Sequence, residues 1–294
     1  MHEQCHRQIK YLRIAVNSQE NYDQKEILIV EEIVQIVNAL VPFGITKVRL
    51  TGAEPLDRPG IVNLVKELVD ISQIEEVSLT TNGLLLTKYA RRLRRAGLKR
   101  VNINLSTIDP LNYKKGKKID YAKVDIGIFA GWAFRLDPVK LNVNVNREIT
   151  WQEICDLVDL SVEIPVHVRF IEQYRDENNQ SPQHKYFTVS KIKKVIEDHY
   201  GLHPVTGITG NGPAVYYQVK GARGTIGFIA EQSSFCSTCS RMVLTPDGKL
   251  KPCLIKGPEF DLKSVLRQGS TNKEKVLQEL IEKALLYKAQ EAAK

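Results

Sequence analysis

The sequence predicts an α/β protein: a partial (β/α)6 barrel of the TIM type over residues 9–175, then an α+β subdomain over 176–294 that carries a metal-cluster hairpin. Three observations predict it. A strand, a turn and an amphipathic helix alternate six times between Tyr11 and Glu172, the pattern of a parallel sheet with crossover helices. Each strand has one polar and one apolar side. Three of the five cysteines, Cys236, Cys239 and Cys253, fall within one short stretch after the repeats end.

In order, the strands are YLRIAV (11–16), KVRLTG (47–52), EVSLTTN (76–82), RVNINLS (100–106), VKLNVNVN (139–146) and VHVRFIE (166–172). Helices are expected near 26–41, 60–71, 87–96, 120–130 and 151–161. After Arg175 the polar stretch DENNQSPQHK reads as a connector, VSKIKKVIEDHYG as a helix, VYYQV and GTIGFIA as strands, and 261–267 and 272–288 as two closing helices.

Parallel strands are usually apolar on both faces. Here Lys47, Arg49 and Thr51 alternate with Val48 and Leu50, and Asn102, Asn104 and Ser106 with Val101, Ile103 and Leu105. Lys140, Asn142, Asn144 and Asn146 repeat the arrangement, and Arg13 and Arg169 extend it. Helices must cover the apolar side. The polar side then lines what a curved sheet encloses, and buried cations are too costly for a dry core, so the reading is an open barrel holding water and an anion. Ligands gather at the carboxyl ends of such strands, here TGAEP, TTNG, LST and IEQ.

A composition of 43% hydrophobic and 26% charged residues is that of an ordinary globular protein. No apolar run approaches a membrane span and MHEQCHRQIK lacks a signal-peptide core, so the expected setting is cytoplasmic, with no membrane partner. Five cysteines do not make a disulfide framework. The basic runs RRLRRAGLKR and KKGKK lie within a net charge of +8 and lack interleaved aromatics, which argues against nucleic acid.

In FCSTCSRMVLTPDGKLKPC, two short strands flank the turn Pro246-Asp247-Gly248 and would return Cys253 to the side of Cys236 and Cys239. Three thiolates can hold a cubane iron–sulfur cluster with one open iron, or zinc with a recruited fourth ligand.

The ordered segments VRLTGAEP, SLTTNGLLL, RAGLKRVNINLS, PVKLNV, HVRFIE, PAVYY, GARGTIGFI and the cysteine hairpin resemble the GTP 3′,8-cyclase family of molybdenum-cofactor biosynthesis, radical S-adenosylmethionine enzymes. The resemblance implies an incomplete barrel with a cluster-bearing C-terminal extension. It implies one C-terminal 4Fe–4S cluster on Cys236, Cys239 and Cys253. GTP would be held by Arg13, Lys47, Arg49 and Lys140, with Arg241 at the active site. Gly52, Ala53, Glu54, Thr80 and Asn104 would be vestiges of an S-adenosylmethionine site. The partners it implies are GTP or a related nucleotide, an intact cyclase or other molybdenum-cofactor proteins, and a second copy of the chain.

The departures concern radical initiation. The family's CxxxCxxC loop should follow the first strand, but RIAVNSQENYDQKEILIVEEI has no cysteine, and Glu20 stands about where the first belongs. Cys5 and Cys155 are isolated. Ala53, Asn104 and Val243 replace a glycine, a serine and an arginine of the family pattern, and AQEAAK stands where the family ends in two glycines. The expectation is a cyclase-like protein that has lost radical initiation; the alternative is a non-catalytic nucleotide-binding, redox-sensing or accessory paralogue.

Overall fold

The computed structural model describes residues 9–18, 26–105, 121–145, 149–172, 188–208, 212–230, 239–254, 257–268 and 272–292. Along the first repeats run β1 (Tyr11–Ala15), α1 (Val30–Leu40), β2 (Lys47–Thr51), α2 (Ile61–Val69), β3 (Glu76–Thr81), α3 (Leu86–Arg95) and β4 (Arg100–Leu105). Then come α4 (Tyr121–Ala133), β5 (Lys140–Val145), α5 (Trp151–Glu163), β6 (His167–Glu172), α6 (Val189–Tyr200), β7 (His203–Val205), β8 (Val215–Gln218) and β9 (Thr225–Ile229). The chain closes with β10 (Arg241–Leu244), β11 (Lys249–Lys251), β12 (Phe260–Asp261), α7 (Leu262–Arg267) and α8 (Lys273–Ala292). The short strands β7 and β12 are the additions to the sequence reading. Each is only a few residues long and leaves no alternation to detect.

The chain forms two compact units, one of residues 1–80, 91–99 and 236–294, the other of 81–90 and 100–235. In the first unit the strands run in the order β12-β11-β10-β1-β2-β3. β10 is parallel to β1, and β1 to β2, while β11 and β12 turn back antiparallel. The cysteine hairpin is therefore a continuation of the sheet begun by β1. In parallel register, facing residues share a side. Leu12, Ile14, Val48, Leu50, Val77, Leu79, Met242 and Leu244 form the apolar side, all essentially inaccessible. The crossover helices bury Ile33, Ile36, Val37 and Leu40 from α1 and Ile61, Leu64, Val65 and Leu68 from α2. Each such side chain contributes about 1.5–3 kcal/mol on leaving water.

The second unit has the same plan, with order β4-β5-β6-β9-β8-β7. Its parallel pairs are β4/β5, β5/β6 and β6/β9, followed by antiparallel β8 and β7. Ile103, Leu141, Val143, Val168, Phe170, Ile226 and Phe228 are buried on the apolar side, and the rings of Phe170 and Phe228 stack at 6.0 Å. Helix α5 starts at a reciprocal cap. Thr150 Oγ1 accepts from the Glu153 N–H at 3.2 Å, and Glu153 Oε2 accepts from the Thr150 N–H at 2.9 Å.

Within the first unit, residues 26–32 tie the C-terminal segment to the early strands. Leu28 N–H donates to the Pro246 carbonyl at 2.9 Å, Lys263 Nζ to the Glu26 carbonyl at 2.6 Å, and Arg267 Nε to Glu32 Oε1 at 2.6 Å. Arg267 Nη2 reaches Glu32 Oε2 at 3.0 Å, so the pair is forked. Burial pushes the Glu32 carboxyl up, but hydrogen bonds from Arg267 and the Ile29 N–H outweigh it and hold it below the ordinary carboxylate range. A depressed carboxylate stabilises the fold above its unfolded pKa, and that contribution disappears as pH falls through the folded value. Glu32→Gln should lower the unfolding free energy at pH 7 by up to about 1 kcal/mol, allowing for solvent screening. Urea titrations should show the gap to the wild type closing below about pH 4; a gap independent of pH would contradict this role.

Candidate functional site

In the first unit, register carries the sequence alternation into rows. Arg13 on β1 stands beside Arg49 on β2, flanked by Val243 and Ser78, so this row contains two guanidiniums and no carboxylate. The next row aligns Arg241, Tyr11, Lys47 and Glu76. Arg49 lies over the Tyr11 ring at 5.2 Å, and Arg13 Nη2 donates to Thr51 Oγ1 at 3.3 Å. Burial pushes the Arg13 pKa down, Tyr11 opposes this and the nearby Arg241 adds to it. Guanidiniums stay charged even so. This side of the sheet carries the four cations Arg13, Lys47, Arg49 and Arg241, with the Glu76 carboxylate aligned beside Lys47.

The carboxyl ends of β1 and β2 are stitched together. Val16 N–H donates to the Thr51 carbonyl at 2.7 Å, and Asn17 Nδ2 to the Glu54 carbonyl at 2.6 Å. The buried Arg58 reaches the carbonyls of Val16 and Leu28, each at 2.6 Å. Gly52 has φ +142°, and a Cβ there would meet Asn17 Oδ1 at 2.3 Å and the Asn17 carbonyl at 2.7 Å. A side chain at this position would therefore run into the chain leaving β1. Ala53 is exposed, whereas Glu54 is buried and spends its carboxylate on the Leu56 N–H at 3.0 Å, capping a short 3-10 turn. Thr80 is buried near the end of β3.

Cys239 and Cys253 are half-buried at the two ends of the β10–β11 hairpin; Cys236 lies outside the described residues. Burial pushes the Cys239 thiol up, but hydrogen bonds from Arg241 and the charges of Lys288 and Arg241 bring it below its ordinary value. Lys288 Nζ lies 3.8 Å from Cys239 Sγ and donates to the Pro252 carbonyl at 2.7 Å. Cysteine sulfurs at both ends of the hairpin are donors of the kind that hold an iron–sulfur cluster; among the described residues no group of three potential metal ligands comes together. The cluster of the family's N-terminal loop has no such donors. No cysteine occurs between Cys5 and Cys155.

The second unit has its own polar side. Asn102, Lys140, His167 and Thr225 share one row, and Asn104, Asn142, Arg169 and Gly227 the next. Arg169 Nη2 donates to Asn102 Oδ1 at 3.0 Å and to Asn142 Oδ1, and Asn142 Nδ2 donates to Asn104 Oδ1 at 2.7 Å. Asn104 is therefore occupied in a side-chain chain that fixes Arg169. Lys140 is buried, with its ammonium over the Tyr216 ring at 5.4 Å. It lines a cavity of about 310 Å³ together with Val205, Thr206 and Tyr216.

Burial, then the charges of Lys140 and Arg169, push the His167 pKa down to about 4; its Nδ1 lies 2.7 Å from Thr225 Oγ1. His167, Tyr216 and Lys288 were not among the candidates read from the sequence. His167 precedes Arg169 by two residues and so was within reach of the same alternation. Lys288 had no local signal.

Two sequence families divide the chain. Residues 5–171 match the Radical SAM superfamily and 166–294 match Molybdenum Cofactor Synthesis C. Among curated proteins, the GTP 3′,8-cyclase of Petrotoga mobilis is 40% identical over 96% of this chain and 91% of its own length. The GTP 3′,8-cyclase of Moorella thermoacetica is 40% identical over 93% of this chain and 90% of its own. The chain belongs to the GTP 3′,8-cyclase family of molybdenum-cofactor biosynthesis. Among solved structures, Streptococcus suis SuiB aligns with a TM-score of 0.63 at 15% identity, covering 93% of this chain and 65% of that one. SuiB bound to S-adenosylmethionine gives 0.59 at 14% identity, over 85% and 60%. This likeness concerns the fold, which is the partial TIM-type α/β class expected from the sequence.

A histidine whose pKa is lowered on folding makes the unfolded chain bind the extra proton. Stability from His167 is present above its unfolded value of 6.5 and is lost as pH falls toward about 4. Proton-detected titration should place the His167 midpoint near 4, and His167→Gln should flatten the pH dependence of unfolding between those values. A midpoint near 6.5 would contradict the buried, cation-flanked geometry.

Proposed function

We propose that this family member binds GTP or a related nucleotide, holds one 4Fe–4S cluster on Cys236, Cys239 and Cys253, and does not start a radical from S-adenosylmethionine. The observation that carries the reading is the side-by-side placement of Arg13 and Arg49, with Arg241 in the neighbouring row on β10. Paired guanidiniums hold the oxygens of a phosphate chain in forked geometry. The first unit offers Arg13, Lys47, Arg49 and Arg241 to such a ligand; the family resemblance adds Lys140. A cluster on three cysteines supplies an open iron as a Lewis-acid site for a ligand atom. The names of the relatives support GTP as that nucleotide.

One observation supports the absence of radical initiation: no cysteine stands between Cys5 and Cys155, the stretch where the family's cluster loop belongs. An accessory role beside an intact cyclase, in the cytoplasm, is the setting that joins a kept ligand side to a lost initiator. No helix among the described residues is long and apolar enough to cross a membrane.

Isothermal titration of the anaerobically reconstituted chain with GTP should give saturable binding. Arg49→Ala and Lys140→Ala should each weaken it by about tenfold or more, because each leaves phosphate charge without its partner. Unchanged affinity in both variants would overturn the nucleotide reading. Incubation with S-adenosylmethionine and dithionite should yield no 5′-deoxyadenosine, and its formation would show that initiation survives.

A further inference from the structure

We propose that Lys288 gives the C-terminal helix control over the reduction potential of a cluster held on the cysteine hairpin. The inference rests on the cluster assignment made above and concerns a residue that neither the family resemblance nor the relatives assign.

Helix α8 turns a periodic face inward. Leu277, Ile281 and Ala284 are buried on it, and Lys288 continues the same face at 7% exposure. That face otherwise carries apolar side chains, and an ammonium at such depth is costly unless it is hydrogen-bonded. Here Lys288 Nζ donates to the Pro252 carbonyl at 2.7 Å, one residue before Cys253, and lies 3.8 Å from Cys239 Sγ. One cation therefore touches both cysteine-bearing ends of the hairpin, 36 residues away through Pro252 and 49 through Cys239.

Charge and hydrogen bonds around ligand sulfurs set the potential of such clusters. One-electron reduction adds one negative charge to the cluster and its thiolates. Lys288 would stabilise that added charge and so raise the potential. No bond is made or broken, and no proton moves.

The test is a potentiometric titration of the reconstituted full chain, with mediator dyes supplying the electron and paramagnetic resonance as readout. Lys288→Gln, which keeps a donor for the Pro252 carbonyl but removes the charge, should shift the midpoint to more negative potential. Lys288→Arg should stay close to the wild type. A Lys288→Gln protein with full cluster content and an unshifted midpoint would overturn the inference alone. Pulsed resonance on wild-type protein labelled with 15N-lysine reads the same contact without any substitution. It should show a lysine nitrogen coupled to the reduced cluster, and no coupling would overturn the inference even where Lys288→Gln does not fold. Wild-type protein that takes up no iron–sulfur chromophore would overturn the cluster assignment, and this inference with it.

Discussion

Arg13 beside Arg49, on adjacent parallel strands about 4.8 Å apart, is the arrangement on which the reading of this chain turns. Like charges directly opposite each other weaken a sheet. The surrounding structure accommodates them through small local means: the Tyr11 ring under Arg49 and the Thr51 hydroxyl beside Arg13. The apolar side of the same strands, from Leu12 to Leu244, supplies the burial that holds the register in place. A one-residue slip would exchange the two sides of every strand, so the packing that stabilises the sheet also fixes where its cations point.

The second unit handles its charge in another way. Arg169 is held by the carboxamides of Asn102 and Asn142, with Asn104 behind them, and Lys140 sits over an aromatic ring. Carboxamide oxygens orient Arg169, and burial, with the charges of Lys140 and Arg169 added, holds the His167 pKa down. At the carboxyl ends of β1 and β2 the chain does the reverse and closes space up. Arg58 ties down Val16 and Leu28 while Asn17 Nδ2 holds the Glu54 carbonyl.

Much of the fold was legible because strict alternation in KVRLT, RVNINL and KLNVNV states both the strand and its two sides. The strands and helices expected from it fall where the structure has them, with ends shifted by a few residues. The cysteine hairpin was legible from its Pro-Asp-Gly turn. Its attachment was not, because the parallel pairing of β10 with β1 joins residues more than two hundred positions apart and leaves no periodic trace. Lys288 and Arg58 escaped for a similar reason. A lysine on a helix and an arginine after a turn look like solvated residues until packing brings carbonyls to them. Glu54 adds a local role with no sequence signal, since its carboxylate accepts from the Leu56 N–H.

Iron content and paramagnetic resonance of the anaerobically reconstituted chain, before and after GTP, test the central claim most directly. The account predicts about four irons per chain, one cubane signal on reduction, and a change in that signal when GTP is added. About eight irons would mean that a second cluster is held despite the missing cysteine loop, and would contradict the loss of radical initiation. A four-iron signal indifferent to GTP would contradict the nucleotide reading.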